Sequence, residues 1–355
     1  MLVNSTKDGG IAASRRSVLS GLTALLPVML GGCTSLLATG ARFDASEISS
    51  NPSLLVVTTR NPVDGARATP WFGTERAASP TIARAALTPP NDGRFSLASI
   101  GLDDWRLDSV EPLPAGLDQL GDLTGGRDVL LYVHGFNQTF ETAALDAARL
   151  SDAIRFRGDT MVFAWPSRAK LFDYGYDRDS AMWSRDALQA VLEQLLARPA
   201  TGRVNIVAHS IGTMLALEAL RQLHAQHGDG AAEHLGAVIF ASPDIDMDVF
   251  TNSIRHIGPL AHKIVVITAT NDRALAVSRW MAGGMTRVGS AEKSRLEQLG
   301  LRVFDASQEG WGLINHDLFL SDSQVRALIR RVLEAPDGSA KNLVDSNRPA
   351  DTLGN

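Results

Sequence analysis

Cysteine is almost missing from this chain: a single one, Cys33, stands among 355 residues. One thiol cannot close an intramolecular disulfide, so no covalent staple holds the fold. A transmembrane pattern is missing too. The apolar stretch 18–30 is about 13 residues long and is broken by Pro27, too short to span a bilayer as a helix. Eight histidines are present, but neither H-E-x-x-H nor a Cys/His ligand spacing occurs, which argues against a metal centre. His224 and His227 lie near a helix end and read as solvated. No G-x-G-x-x-G follows the first strand pattern, so no dinucleotide cofactor is indicated; the run at 282–284 reads as a loop. Lysine and arginine are scattered and the formal charge is −5, so nothing points to nucleic acid. No internal repeat is visible.

What remains is an ordinary globular composition, 45% hydrophobic and 21% charged. Without residues 1–32 the chain keeps about 320 residues, enough for one large domain with a sizeable core. Strand patterns recur at 54–59, 129–133, 160–164, 204–208, 237–241, 263–268 and 301–304, with helical stretches between them. That alternation predicts an α/β fold with a mostly parallel sheet and helices on both faces. Residues 60–127 are rich in Pro, Gly and Ala, with an early antiparallel strand expected near 95–98. Residues 34–50 read as a polar tether, 51–334 as the folded domain and 335–355 as a polar, disordered tail.

The chemistry is carried by Val204-Asn205-Ile206-Val207-Ala208-His209-Ser210-Ile211-Gly212, an apolar strand running into A-H-S-I-G and then a helix. Strand, sharp turn and helix make a nucleophile elbow, which lifts a serine hydroxyl clear of the sheet edge. Ala208 and Gly212 are small enough for the strand and helix backbones to approach; the first stands where glycine is common. A serine needs a base, and the base needs a group to orient it. In this architecture they follow as acid, then histidine. Asp272 lies just past the strand pattern 263–268, and His316 is the only histidine after His262. Asp244 and Asp246, behind the preceding strand, remain alternatives to Asp272, and Asp305 is a weaker one inside the last strand. The oxyanion of a tetrahedral intermediate needs N–H donors. The Ile211 amide follows the serine, and the Phe136 amide, in the loop His134-Gly135-Phe136-Asn137, is the second candidate. His134 reads as structural support for that loop. Trp165, Phe172, Tyr174, Tyr176 and Trp183 either line an acyl or alcohol pocket or pack a helix beginning near Ser180. Two short helix patterns between Arg273 and Gly300 are candidates for the pocket mouth.

H-G-F-N (134–137), F-A-W-P-S (163–167), A-H-S-I-G (208–212), S-P-D-I-D (242–246) and N-D-R-A-L (271–275), with V-V-T-T-R-N-P (56–62), together resemble an α/β-hydrolase family of bacterial esterase- and lipase-like proteins. The likeness spans roughly residues 54–330. It implies the α/β-hydrolase fold and hydrolysis of a small-molecule or lipid ester through Ser210, Asp272 and His316, with no cofactor. A thioesterase, amidase or acyltransferase on the same residues remains an alternative. So does a non-catalytic envelope lipoprotein that uses the fold for binding. Oligomeric state is not legible.

The amino terminus carries a separate signal. Ser14-Arg15-Arg16-Ser17-Val18-Leu19 resembles a twin-arginine export motif, and Leu30-Gly31-Gly32-Cys33 resembles the lipobox of bacterial lipoproteins. The resemblance implies a cleaved signal peptide over 1–32 and acyl chains on Cys33, whose buried methylenes anchor the mature protein to a membrane. Thr34 in place of aspartate after the cysteine implies a periplasm-facing position on an outer membrane.

Overall fold

The structure, a computed structural model, describes residues 53–63, 69–90, 104–197, 202–281, 284–309 and 316–335. The expected signal peptide, Cys33, the expected tether and tail, and the strand expected near 95–98 lie outside these residues.

Nine strands form one sheet in the order β3-β2-β1-β5-β4-β6-β7-β8-β9. They are β1 (Ser53–Pro62), β2 (Phe72–Thr88), β3 (Arg106–Pro112), β4 (Val129–Val133), β5 (Asp159–Ala164), β6 (Val204–His209), β7 (Leu235–Ala241), β8 (Ile264–Thr268) and β9 (Arg302–Asp305). Only β2 runs against the rest; every pairing from β1 to β9 through β5, β4, β6, β7 and β8 is parallel. The alternation of strands and helices predicts such a mostly parallel sheet, and it is the α/β-hydrolase fold that the resemblance implies. The central strands are buried almost throughout and largely apolar because both faces are covered. Val129, Leu131 and Val133 of β4 face one core with Val204, Ile206 and Ala208 of β6, whereas Leu130, Tyr132 and Val207 face the other.

Three helices close the first face: α3 (Arg185–Leu196), α4 (Ile211–His227) and α5 (Met247–Ile254). The second face is closed by α1 (Phe140–Ala153), the short α8 (Leu318–Ser321) and α9 (Ser323–Glu334). In α9 the buried residues are Val325, Leu328, Ile329 and Val332, the i, i+3, i+4, i+7 stripe of a helix with one face in the core. The Asp322 carboxylate accepts the amides of Gln324 and Val325 and so starts that helix. Two further helices, α2 (Tyr174–Trp183) and α6 (Arg273–Met281), leave the carboxyl ends of β5 and β8, and the short α7 (Lys293–Glu297) precedes β9.

The expectation that fails to locate structure is the stretch 60–127. It holds β2 and β3, which together with β1 make an antiparallel edge of the sheet. The Ala- and Arg-rich sequence of β2 has little strand propensity of its own. It is a strand because β1 offers it a ladder and because Ile82, Ala83, Ala85 and Leu87 reach the core. Pro80, which has no N–H to donate, falls in the irregular stretch between the paired residues Arg76 and Thr81.

Register places the site. Val133 pairs with Ala208 and Phe163, His209 with Ala241, and Ala241 with Ile267, so these strands end along one edge. The chain winds from β4 to β5 on one side and resumes with β6 on the other. Ligands of open α/β sheets bind at such a switch point, beyond the carboxyl ends of the strands.

Candidate active site

Ser210 sits between β6 and α4 with φ 52° and ψ −123°, a conformation that a residue with a Cβ rarely adopts. Such strain persists only where the surroundings enforce it. Here the Ser210 amide donates to Ala241 O at 3.0 Å, and its carbonyl accepts from Thr213 Oγ1 at 2.6 Å and from the Asp244 amide at 3.3 Å. Gly212 is required on the helix side, because a Cβ there would lie 2.3 Å from His134 O. Ala208, fully buried beside Val133, keeps its single methyl within the core.

The three candidate acids differ in what they touch. His316 Nδ1–H donates to Asp272 Oδ2 at 2.7 Å, while Asp272 Oδ1 accepts the Leu275 amide at 3.1 Å. One carboxylate thus caps α6 and orients the imidazole. Asp246 instead caps α5, accepting the amides of Asp248 and Val249. Asp244 receives Tyr174 Oη at 2.9 Å and Ser278 Oγ at 2.6 Å, and lies 3.1 Å from Nε of the fully buried Arg287. Asp305, at the end of β9, bonds Ser307. Burial works to lower the pKa of His316, but Asp272 outweighs it and the net shift is upward from 6.5. Ser210 Oγ has no hydrogen bond to His316 in this structure; such contacts often tighten only around substrate.

Both candidate oxyanion donors border the serine. Ile211 is the first residue of α4, where an amide has no partner inside the helix. The loop carrying Phe136 packs directly on Ser210, since a Cβ on Gly135 would lie 2.9 Å from the serine Cβ. The neighbouring amides are already used: Asn137 donates to Asp177 Oδ2 and Gln138 to Ser167 Oγ, each at 3.2 Å.

His134 supports this loop. Its ring stacks on Trp165 with centroids 4.6 Å apart, and Trp165 Nε1 donates to His134 O at 2.8 Å. Burial, helped by nearby Arg60, pushes its pKa down to about 3, so it stays neutral. The aromatic candidates divide. Trp165 is core, Tyr174 packs edge-on against Phe136, Tyr176 lies under Arg168, and Phe172 is exposed. At the end of α4, His224 faces Gly228 O and His227 faces Glu193.

Three organising residues escape a reading of the sequence. Asp177, buried on α2, accepts from Ser167 Oγ and from the amides of Asn137 and Arg168. Arg60, buried at the end of β1, donates to the carbonyls of Gly73, Gln138 and Ser167. His209 Nε2–H donates to His316 O at 2.9 Å and its ring lies against His316 and Phe319, which fixes the loop of the candidate base. Burial, then the proximity of His316, keep His209 neutral. Its place inside A-H-S-I-G was the available signal. Among the described residues no group of three or more His, Cys, Asp or Glu side chains is placed to hold a metal.

Residues 121–332, more than half of the chain, match a family model described as "Alpha/beta hydrolase of unknown function (DUF900)". An uncharacterised protein of Nostoc sp. (strain PCC 7120) is 24% identical over 122 residues; the match covers 27% of this chain and only 32% of that relative. Among solved structures, an esterase of Pyrobaculum calidifontis aligns with 11% identity and a TM-score of 0.36 over 82% of this chain and 85% of its own. A cutinase of Trichoderma reesei aligns with 15% identity and a TM-score of 0.28 over 52% and 89%. A hydrolase of Oleispira antarctica aligns with 11% identity and 0.31 over 63% and 99%. Likenesses at these scores carry no weight for substrate or mechanism.

Proposed function

The chain belongs to this alpha/beta hydrolase family of unknown function; from that premise, we propose that it is a hydrolase, and specifically a serine hydrolase of carboxylic esters. The reading is supported chiefly by the 2.7 Å bond from His316 to Asp272, made on loops that adjoin a serine held at φ 52°. In this mechanism His316 Nε2 takes the hydroxyl proton as Ser210 Oγ attacks the acyl carbonyl. Asp272 orients the ring and stabilises the imidazolium. The Phe136 and Ile211 amides receive the oxyanion. His316 returns the proton to the leaving alcohol, and water releases the acyl group by the same steps reversed.

The direct test is labelling of the folded protein with a fluorophosphonate, which captures an activated serine. Labelling is expected in the parent and absent in Ser210→Ala. Rates on matched ester, thioester and amide substrates then rank the acyl class. A folded sample that takes no label would overturn the nucleophile and favour a binding role.

We also propose that the protein is tethered to a bacterial envelope through acylated Cys33, the cysteine of Leu-Gly-Gly-Cys. Several acyl chains together make a stable anchor. After a high-salt wash, which removes charge-driven surface binding, Cys33→Ser is expected to leave the protein in the soluble fraction with turnover unchanged. An unchanged membrane fraction would sink the anchor.

A further inference from the structure

Single apolar side chains on a protein surface need no explanation, but a contiguous set does. Six large apolar side chains are exposed among the described residues, and five of them stand on segments leaving the carboxyl ends of β5, β7 and β8. Phe172, 87% exposed, precedes α2; Val249 is on α5; Val277 and Trp280, the latter 80% exposed, are on α6; Met285 follows α6. Trp183, the sixth, is covered in part by Arg76. On α6 the inward residues are Leu275 and Ser278, whereas Val277 and Trp280, three apart, share the outer face. The segments are joined: Tyr174 Oη meets Ser278 Oγ at 3.0 Å, and the Met247 amide donates to Thr286 O at 3.1 Å. Phe172, Trp280 and Met285 therefore belong to one rim around Ser210, and strands on both sides of β4 and β6 contribute to it.

Charge indicates what the rim meets. Lys170, Arg273 and Arg279 are exposed beside the apolar residues. Two rim carboxylates, Asp173 and Asp248, face Arg168 and Arg295. Exposed indole and phenyl groups set among cations suit an anionic lipid surface, with the rings at headgroup depth and the cations on phosphate. The chain outside the structure permits that approach. Ser53 opens β1, which runs parallel to β5, so the chain enters at the sheet edge opposite Ser210. About 19 residues separate Cys33 from Ser53 and reach up to roughly 65 Å when extended, against about 20 Å for the length of a central strand.

We propose that this rim docks on an anionic lipid layer and that the site takes amphiphilic esters from that layer. The second half rests on the hydrolase reading of Ser210; the docking does not. The test uses the mature chain, residues 33–355, carrying Cys33→Ser, so that neither an acyl anchor nor the apolar stretch 18–30 contributes, with and without Val277→Ser and Trp280→Ser together. Sedimentation with vesicles of phosphatidylglycerol and phosphatidylcholine, and of phosphatidylcholine alone, reads the docking. The parent is expected to prefer the anionic vesicles, with binding that weakens as salt rises. The paired substitution should lower that binding roughly tenfold or more. It should leave hydrolysis of a short soluble ester unchanged and slow hydrolysis of an ester presented in vesicles. Equal vesicle binding by parent and paired variant would overturn the proposal. So would a parent that sediments as a dimer and a variant that sediments as a monomer, because the rim would then face a second copy. Vesicle binding that depends on the rim in a protein inactive on every ester would overturn only the hydrolase reading.

Discussion

Replacing Ser210 with alanine is expected to lower ester turnover by about 10⁶-fold, the scale of loss when the nucleophile of a triad acting as a unit is removed. The loss should come without unfolding. Ser210 is held through its backbone, by Ala241 O, Thr213 Oγ1 and the Asp244 amide, and alanine keeps all three contacts. What remains of the site is the loop of Phe136, the first turn of α4 and the oriented His316, which should retain a small rate above the uncatalysed reaction. Glycine at the same position separates strain from chemistry. A φ of 52° with ψ −123° costs a side-chain-bearing residue on the order of 1–3 kcal/mol and glycine almost nothing, though glycine also gives the unfolded chain more freedom, worth roughly 0.5–1 kcal/mol. Ser210→Gly should therefore be as inactive as Ser210→Ala yet no less stable than the parent. Steady-state rates and denaturant midpoints on the three proteins decide the matter. Turnover by Ser210→Ala within tenfold of the parent would place the nucleophile elsewhere.

The elbow was legible because its requirements are local. An apolar strand, small residues at 208 and 212 and a helix to follow are all contiguous in sequence. The edge of the sheet was not, because β2 becomes a strand only through its partner. Its residues Phe72–Thr88 pair with β1 and β3, and no spacing within the segment announces that. The candidate acid stood between these cases. Chain order narrowed it to Asp272, Asp244 and Asp246, which all follow strands at the same edge. Only the fold separates the carboxylate that reaches His316 from one that caps α5 and one that lies against Arg287. Asp177, Arg60 and His209 were hidden for a related reason. His209 meets His316 and Arg60 meets Ser167 from 107 residues away, Asp177 reaches back 40 residues to Asn137, and a buried polar hub leaves no periodicity to read.

The same separation of carboxylates makes the second large effect measurable. Asp272→Asn is expected to lower turnover by about 10⁴-fold, because an amide can hold the imidazole in the wrong tautomer and cannot stabilise its cation. The pH profile should move as well. In the proposed mechanism His316 is a base only when neutral, so activity is expected to rise with pH through its pKa, which lies above 6.5 in the parent. Without Asp272 the burial of the ring dominates, and the acid limb should shift to lower pH. Stability runs the other way. A histidine pKa raised by folding adds stability that is fully present below about 6.5 and is lost as pH rises through the folded value, so this contribution fades as the enzyme becomes active. Asp244→Asn should behave differently. It leaves Arg287, fully buried, without its counter-charge, which should cost about 3 kcal/mol of folding stability. Its carboxylate adds only a weaker pull on His316, so the protein that remains folded should keep most of its rate and show a smaller shift of the acid limb. Rate–pH profiles and urea unfolding of the two variants supply the comparison. Severe loss of rate in Asp244→Asn with a near-parental Asp272→Asn would transfer the role of the acid to Asp244.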